Sequence, residues 1–353
     1  MREEALMTPT TPLGPSRVFD VETVTALCSR YGLGTPTAAP QAVTGGLIHR
    51  VFRLATTTGT FAVKVLDGNI IRRQGVPEQF RRSERIAAAF AAASVPAVLA
   101  RETPGGTVQE IGDVTVMVYP WCDGEALPKS AAPPPQARII GATLGRMHAL
   151  DLRPPGAAPE GPPPAREPTL ASGWEELVGL ARDGGVAWAA AVGAALPDLL
   201  RWDRAAIEAE GTLPPKWVIS HGDLDQKNVL WRDGDTPFLI DWESVGAVRP
   251  AVELVGAALD WSGQGAGPPE RAAFAAVIEG YRQKAEFPSA LALPALRCRL
   301  GDWLGWLGAN MHRSLDPTAS GAEVALGVRE TVGTLATMYR LATDTETWVQ
   351  WCG

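Results

Sequence analysis

The segment that decides the fold is WVISHGDLDQKNVLW at residues 217–231, followed by FLIDWE at residues 238–243. A short apolar strand is predicted to lead into a loop that carries Asp223. Asn228, five residues further on, opens a second predicted strand, and Asp241 follows a third. The pattern therefore predicts that three polar side chains are presented at the ends of short strands.

This set of side chains is the one that phosphoryl transfer from a nucleotide requires. An aspartate accepts or orients the proton of the substrate hydroxyl, while an asparagine and a second aspartate hold magnesium over the phosphates. Magnesium prefers hard oxygen ligands of this kind. Asp223 and Asp241 could each be an ordinary turn residue, but their joint spacing with Asn228 favours the catalytic interpretation.

The compound pattern resembles the aminoglycoside phosphotransferase and choline-kinase-like family, small-molecule kinases that share the two-lobed fold of protein kinases. The matching residues are His221, Gly222, Asp223, Leu224, Asn228, Val229, Leu230, Ile240, Asp241, Trp242 and Glu243. The resemblance implies that Asp223 is the catalytic base, that Asn228 and Asp241 bind magnesium, and that His221 organises the loop. Gly222 stands where protein kinases have arginine, which favours the small-molecule branch.

The resemblance also implies a nucleotide clamp in the first third of the chain. A glycine turn, Gly45-Gly46, precedes the first predicted strand and could bring backbone amides close to a phosphate. The strand FAVKV matches the one that supplies a lysine to the α- and β-phosphates, so Lys64 is the candidate. Its predicted ion-pair partner is Glu84 on the following helix, with Glu78 as the less favoured alternative.

The predicted elements divide the chain into two lobes of unequal size. Two β-hairpins and two helices are predicted within residues 18–120, after a tail at residues 1–17 that is expected to be disordered. Residues 121–353 are expected to form a mainly helical, catalytic and substrate-binding lobe. Val118 and Tyr119 belong to the predicted hinge, whose backbone would pair with the nucleotide base. The expected fold class is α+β, a bilobal protein-kinase-like fold with a small antiparallel sheet plus helix in its first lobe.

Hydrophobic periodicity and turn residues give the element positions within the lobes. The predicted helices cover residues 20–31, 78–93, 135–150, 173–182 and 187–210. The predicted strands cover residues 50–54, 60–66, 107–111, 114–119, 217–220, 228–231 and 237–240.

The composition is that of an ordinary soluble globular protein. The 353 residues carry a formal net charge of −7, with 46% hydrophobic and 20% charged residues. No run of lysine and arginine suits a nucleic-acid-binding tail, and the longest apolar stretch, residues 86–100, is too short to span a bilayer. Four widely spaced cysteines suggest neither a disulfide framework nor a zinc site and fit a reducing, cytoplasmic compartment. Neither a nucleic acid nor a membrane is therefore expected as a partner.

Two further segments extend the resemblance. LGRMHAL at residues 144–150 resembles a helix with a Leu-His signature, in which His148 is expected to be a core residue. VRPAVEL at residues 248–254 resembles the segment that begins the helical subdomain. Arg249 and Glu253 stand where many members of the family have aspartate.

Lys227 leaves two interpretations open. It lies between Asp223 and Asn228, where a cation could offset charge on a transferring phosphoryl group. A lysine that simply faces solvent from a loop fits the same position equally well.

The predicted reaction moves the γ-phosphate of ATP or GTP, bridged by Mg²⁺, to a hydroxyl group of a small molecule. The family resemblance favours an antibiotic acceptor such as an aminoglycoside. A metabolite such as a sugar, choline, homoserine or a nucleoside is the alternative within the enzyme class. A pseudokinase that binds nucleotide without catalysis is the alternative from another class, and the intact Lys64, Asp223, Asn228 and Asp241 argue against it.

The acidic charge balance suggests that the acceptor is cationic. Candidate contacts in the helical part are the acidic residues Asp260, Glu253, Asp302 and Glu279 and the indoles Trp303 and Trp306. An indole face can stack on a sugar or cover a cation.

Overall fold

The computed structural model describes residues 19–43, 49–154, 156, 161–167 and 171–353. The predicted tail at residues 1–17 and the predicted glycine turn, Gly45-Gly46, lie outside the described residues. Contacts divide the chain into two units. The first comprises Met1–Ala92 and Pro96–Asp123, and the second comprises Ala93–Val95 and Gly124–Gly353.

The first unit contains a five-stranded antiparallel sheet. Its strands are β1 (Gln41–Val43), β2 (Arg50–Thr56), β3 (Gly59–Val65), β4 (Gln109–Ile111) and β5 (Val114–Pro120). Their order in the sheet is β1-β2-β3-β5-β4. Both predicted hairpins, β2-β3 and β4-β5, are therefore present. Strand β1 was not expected from the sequence, because three exposed residues carry no alternation of apolar and polar side chains.

Two helices cover opposite faces of this sheet. The helices of the unit are α1 (Val21–Tyr31), α2 (Gly68–Ile71) and α3 (Val76–Ala92). Helix α1 begins at the N-cap Asp20, whose carboxylate accepts a hydrogen bond from Thr23 N, and it packs on the face that carries Val63. Helix α3 packs through Phe80 on the face that carries Met117. Alternate residues of one strand thus serve two different cores.

The second unit contains two small antiparallel sheets. Its strands are β6 (Glu125–Ala126), β7 (Val218–Ser220), β8 (Val229–Arg232), β9 (Thr236–Leu239) and β10 (Gly246–Val248). Strands β6, β8 and β9 form one sheet, and β7 pairs with β10 in the other. Single turns of 3₁₀-helix at Gln226–Asn228 and Trp242–Ser244 follow β7 and β9, respectively.

The rest of the second unit is helical. The helices are α4 (Pro134–Leu150), α5 (Ala171–Asp183), α6 (Ala189–Thr212), α7 (Pro250–Trp261), α8 (Arg271–Arg282), α9 (Ala292–Leu315), α10 (Gly321–Thr343) and α11 (Thr345–Trp351). Among the described residues, no helix is both long enough and apolar enough to cross a membrane.

Helices α4 and α8 approach each other so closely that their backbones touch. A Cβ atom on Gly141 of α4 would collide with the carbonyl of Val277, and one on Gly280 of α8 would collide with the carbonyl of Arg138. Only glycine allows this separation. The contact brings the last turns of the two helices together, and the polar residues described below lie there.

The fold class predicted from the sequence is confirmed, since an antiparallel sheet occupies the first unit and helices dominate the second. Most predicted helices and strands lie within a few residues of their predicted positions. The two-residue strand β6, the three-residue strand β10 and the four-residue helix α2 escaped prediction, because so few residues show no periodicity.

Candidate active site

Ser220, the last residue of β7, and His221, the first residue of the loop that follows, are both buried. His221 donates a hydrogen bond from Nε2 to the carbonyl of Ile240 at 3.1 Å, and its ring lies 4.7 Å from that of Trp242. Burial lowers the pKa of His221, although nearby carboxylates oppose the shift. His221 therefore joins the start of the loop to the segment after β9, which fits the organising role that the resemblance implies.

Gly222 turns the chain sharply toward Asp223. Its φ is 78°, and a Cβ atom at this position would collide with the carbonyl of Ser244. Its amide donates a hydrogen bond of 2.9 Å to Oε1 of Glu253. A residue with a side chain would be strained in this conformation and would also push the loop away from the residues that hold it.

Asp223 and Asn228 are in direct contact. The Asn228 amide nitrogen donates to Oδ2 of Asp223 at 2.9 Å and to its carbonyl at 2.8 Å. Asn228 is buried, whereas the side chain of Asp223 is 41% exposed. The structure thus brings together two of the three polar residues that the sequence singled out at strand ends, with Asp223 open to solvent.

Lys227 binds the same aspartate. Its ammonium group lies 2.8 Å from Oδ2 of Asp223 and 2.8 Å from Oδ2 of Asp225. Burial alone would lower the pKa of Lys227, but the two carboxylates raise it above its usual value. Burial also raises the pKa of Asp225, against the opposing effect of Lys227. Asp225 was not identified from the sequence as a member of the site.

Asp241 follows β9 in a left-handed backbone conformation, with φ 61° and ψ 61°. A residue other than glycine is uncommon there, although aspartate tolerates the conformation better than most. The preceding residue, Ile240, donates from its amide to the carbonyl of Asn228 at 3.0 Å. The segment that carries Asp241 is therefore tied to both Asn228 and His221, and the side chain of Asp241 is exposed.

A largely buried chain of hydrogen bonds supports the loop. The Tyr281 hydroxyl donates to Nδ1 of His148 at 2.9 Å, and Nε2 of His148 donates to Oε2 of Glu253 at 2.6 Å. The other oxygen of Glu253 accepts the bond from Gly222. Burial by itself would raise the pKa of Glu253, but the bonds from His148 and Gly222 lower it below its usual value.

His148 is a buried core residue, as expected from its helix face. The sequence did not reveal that Glu253 links it to the backbone of the loop that carries Asp223. The two family-like segments at residues 144–150 and 248–254 were the signal that could have found this link, since each contributes one of the partners.

Helix α7 also holds the loop through its last turn. Trp261 donates from Nε1 to the carbonyl of Leu224 at 2.8 Å, and Gln226 donates from its side chain to the carbonyl of Asp260 at 2.6 Å. Burial raises the pKa of Asp260 to about 6, although Arg299 opposes the shift.

The four acidic residues that could have bound amines each have an internal partner. Asp260 pairs with Arg299 at 2.9 Å, Asp302 pairs with Arg166 at 2.6 Å, Glu279 pairs with Arg138, and Glu253 pairs with His148. The two indoles are similarly engaged, because Arg299 lies over Trp303 and Arg313 over Trp306. Recognition of a cation by these carboxylates would compete with these contacts.

The first unit carries Lys64 on β3, where it pairs with Val51 of β2 and Met117 of β5. Opposite residues of paired strands share a face, so Lys64 and Met117 lie on the face that α3 covers. Tyr119, two residues further along β5, lies on this face too. Strand register alone thus fixes the side of the sheet from which Lys64 projects.

Glu84 of α3 is buried against the same face. Its Oε1 accepts a hydrogen bond from the Tyr119 hydroxyl at 2.8 Å, and its Oε2 accepts one from the amide of Ala100 at 2.9 Å. Glu78, the alternative partner of Lys64, is instead exposed and pairs with Arg85, which lowers the pKa of Glu78. These positions favour Glu84 over Glu78.

Val118, the other predicted hinge residue, is buried on the opposite face of β5, and its carbonyl accepts a bond from the amide of Arg101 at 2.7 Å. His49 follows the predicted glycine turn and accepts a bond from the amide of Asp67 at 2.9 Å. The nucleotide-binding roles of Val118 and Tyr119 stay predictions.

Asn228 and Asp241 are suitable ligands for a divalent cation. The Asn228 amide nitrogen is used by Asp223, which leaves the amide oxygen for a metal. Within the described ranges, no group of three His, Cys, Asp or Glu side chains could hold a metal by itself. A pair of oxygen ligands agrees with magnesium, which usually keeps several waters and substrate phosphates in its coordination sphere.

Comparison with known proteins identifies the family. The family model of the phosphotransferase enzyme family matches residues 40–287. No curated protein sequence matches the chain.

Several solved structures share the fold. A spectinomycin phosphotransferase in complex with ADP and spectinomycin is 13% identical, with a TM-score of 0.67 over 90% of this chain and 97% of that one. A macrolide 2′-phosphotransferase from Brachybacterium faecium is 20% identical, with a TM-score of 0.58 over 88% and 98% of the two chains. A choline/ethanolamine kinase family protein from Mesorhizobium loti is 16% identical, with a TM-score of 0.59 over 93% and 97%. Since the family model spans well over half of the sequence, the chain belongs to the phosphotransferase enzyme family.

Proposed function

We propose that this protein transfers the γ-phosphate of ATP or GTP to a hydroxyl group of a small molecule. The observation that carries the proposal is the hydrogen bonding of the two oxygens of the Asp223 carboxylate. Its Oδ2 accepts bonds from Lys227 and Asn228, whereas within the described residues no group donates to Oδ1. One oxygen of an exposed, oriented carboxylate is thus available to accept the proton of an incoming hydroxyl.

Catalysis would rest on positioning and on neutralisation of charge. Asp223 would orient the acceptor hydroxyl. Asn228 and Asp241 would hold Mg²⁺, which when bound would offset the charge of the phosphates. Lys64 would contact the α- and β-phosphates, with Glu84 as its ion-pair partner. The use of a nucleotide is supported by the structures of relatives that contain ADP or AMP-PNP.

The acceptor that we favour is an antibiotic. Proteins of the same fold include a spectinomycin phosphotransferase, an amicoumacin kinase and a macrolide 2′-phosphotransferase. A metabolite acceptor is the second candidate, because an aminopropanol kinase and a choline/ethanolamine kinase family protein share the fold as well. The internal pairing of Asp260, Asp302 and Glu279 weighs against an acceptor that carries many positive charges.

A screen for acceptor-dependent release of nucleoside diphosphate tests the proposal. The panel contains spectinomycin, aminoglycosides, macrolides, amicoumacin, choline, ethanolamine and aminopropanol, each with MgATP and with MgGTP. We expect at least one compound to be phosphorylated. Protection of a sensitive host by the chain would select the antibiotic acceptor over the metabolite.

Asp223→Ala is expected to lower the transfer rate by about 10²- to 10⁴-fold, because the group that orients the hydroxyl is lost. Binding of MgADP should change little. Asp235→Ala, at an exposed turn aspartate between β8 and β9, is the matched control and should be as active as the wild type. Full activity of the Asp223 variant would contradict the assignment.

A further inference from the structure

Lys227 is the one residue of the catalytic loop whose role the sequence left open. It lies in the 3₁₀ turn Gln226–Asn228, between the candidate base Asp223 and the candidate metal ligand Asn228. Its side chain is only 36% exposed. A lysine that merely faces solvent would not be expected to be so enclosed.

Asp225 binds both the backbone amide and the ammonium group of Lys227. Oδ1 of Asp225 caps the turn by accepting the backbone amide of Lys227 at 3.1 Å, and Oδ2 binds the Lys227 ammonium group at 2.8 Å. One carboxylate thus fixes the backbone and the tip of the same side chain. Such double attachment reduces the freedom that a long side chain normally keeps.

The far side of the ammonium group contacts Asp223. Oδ2 of Asp223 receives two donors, the Lys227 ammonium at 2.8 Å and the Asn228 amide at 2.9 Å. Two donors on one oxygen fix the rotation of the carboxylate about its last torsion, which is otherwise broad. The other oxygen receives no donor from the described residues.

The surrounding charges give Lys227 a further reason to lie there. Asp223 and Asp225 would face each other across a short gap without an intervening cation. The nearby guanidinium group of Arg299 is engaged by Asp260, at 2.9 Å. Lys227 is the cation that contacts both loop carboxylates.

From this geometry we infer that Lys227 is a positioning residue for phosphoryl transfer: it clamps one oxygen of Asp223 so that the other is presented to the acceptor hydroxyl. The inference rests on the function proposed above. It adds Lys227 to the residues proposed to act in phosphoryl transfer, and it assigns to Asp225 the role of holding Lys227 in place.

Steady-state kinetics of three variants test the inference. They are measured with MgATP and the acceptor that reacts fastest in the screen and, in parallel, with water as the acceptor. Lys227→Met keeps the length of the side chain and removes its charge, and we expect kcat to fall by about 10- to 100-fold. Lys227→Arg should restore most of the rate, because it again supplies a cation. Asp225→Asn keeps the turn cap and removes one charge, and a smaller loss of about 3- to 10-fold is expected.

Two measurements separate positioning from damage to the fold. The stoichiometry and Kd of MgADP binding should be the same in Lys227→Met as in the wild type, and the temperature of unfolding should be similar. Lys216→Met, at an exposed lysine just before β7, is the matched control and should leave kcat unchanged.

The possible outcomes lead to different conclusions. A kcat of Lys227→Met equal to that of the wild type overturns the inference and leaves the proposed function intact. A fall in kcat with a matching fall in the stoichiometry of MgADP binding also overturns it, since the loss is then one of folded protein. A wild-type chain that transfers phosphate to no acceptor, water included, overturns the proposed function and the inference with it.

Discussion

The two units hold their candidate site residues in different ways. In the first unit, Lys64 and Tyr119 occupy neighbouring strands of a regular sheet, and register fixes the face on which they lie. In the second unit, Asp223 and Asn228 lie on a loop, held by side chains from distant parts of the sequence such as Glu253. In the sheet, strand register orients the side chains. In the loop, their orientation depends on a few polar contacts with residues that are distant in the sequence. Damage to one contact should therefore matter far more in the second unit.

The largest effect is expected from Glu253→Ala. The substitution removes the carboxylate that lies between His148 and the amide of Gly222. It leaves the buried His148 donor and the exposed Gly222 amide without their acceptor. A buried donor left unsatisfied costs about 1–3 kcal/mol, and loss of the bond to Gly222 costs about another 1 kcal/mol. We expect the free energy of unfolding to fall by the sum of these two costs, measured by denaturant titration, and phosphate transfer to fall with it.

Glu279→Ala is the control for this comparison. Glu279 pairs with Arg138 at the surface, where an ion pair contributes at most about 1 kcal/mol. Equal losses of stability in the two variants would show that burial of the Glu253 contacts is not what holds the loop.

Gly222→Ala should have an intermediate effect. The alanine would be strained at a φ of 78°, and its Cβ would collide with the carbonyl of Ser244. We expect a loss of about 1–3 kcal/mol in the free energy of unfolding and at least a tenfold lower kcat, because Asp223 is the next residue.

Gly234→Ala separates the effect of backbone strain from that of a steric collision by the added Cβ atom. Gly234, in the turn between β8 and β9, has a φ of 81°, but an added Cβ would meet no atom within 4 Å. Stability should fall by about 1 kcal/mol from strain alone, and kcat should stay at the wild-type value. If both glycine variants lost activity equally, collision with Ser244 would not be the cause.

These contrasts explain what the sequence could predict. The alternation of apolar and polar residues predicted the β2-β3 hairpin and hence the face of Lys64. This alternation repeats every two residues, so it can be recognised from neighbouring residues alone. The spacing of Asp223 and Asn228 predicted that they belong to one loop. No local pattern could show that Glu253 accepts a bond from Gly222, which lies 31 residues earlier, since that contact depends on how α7 packs.

The pairing of acidic residues was also beyond the sequence. The sequence makes Asp260 and Asp302 candidates for binding an amine. In the fold they instead pair with Arg299 and Arg166, respectively, which are far from them in the sequence. The sequence favours Glu84 over Glu78 as the partner of Lys64. The structure adds a physical reason, because Glu84 is buried against the face of Lys64 whereas Glu78 is exposed.

The smallest effect is expected in the first unit, from Tyr119→Phe. The substitution removes the hydroxyl that donates to Glu84, while the amide of Ala100 still holds the other oxygen of that carboxylate. We expect the free energy of unfolding to fall by about 1 kcal/mol. The Kd of MgADP should change by less than about threefold, as measured by calorimetry.

Tyr339→Phe is the control, since it removes a hydroxyl that donates to Asp198 at an exposed site. Its effect on stability should be smaller still. A loss of nucleotide binding in Tyr119→Phe comparable to the loss of transfer in Gly222→Ala would remove the distinction between the two units.

The glycine contact between α4 and α8 has a consequence for how this enzyme could be altered. Gly141 and Gly280 admit no larger residue, and the helix ends beyond them bear His148 and Tyr281, which support the loop through Glu253. A mutant library intended to change acceptor preference while keeping phosphate transfer should therefore leave Gly141, Gly280 and the helix ends beyond them untouched.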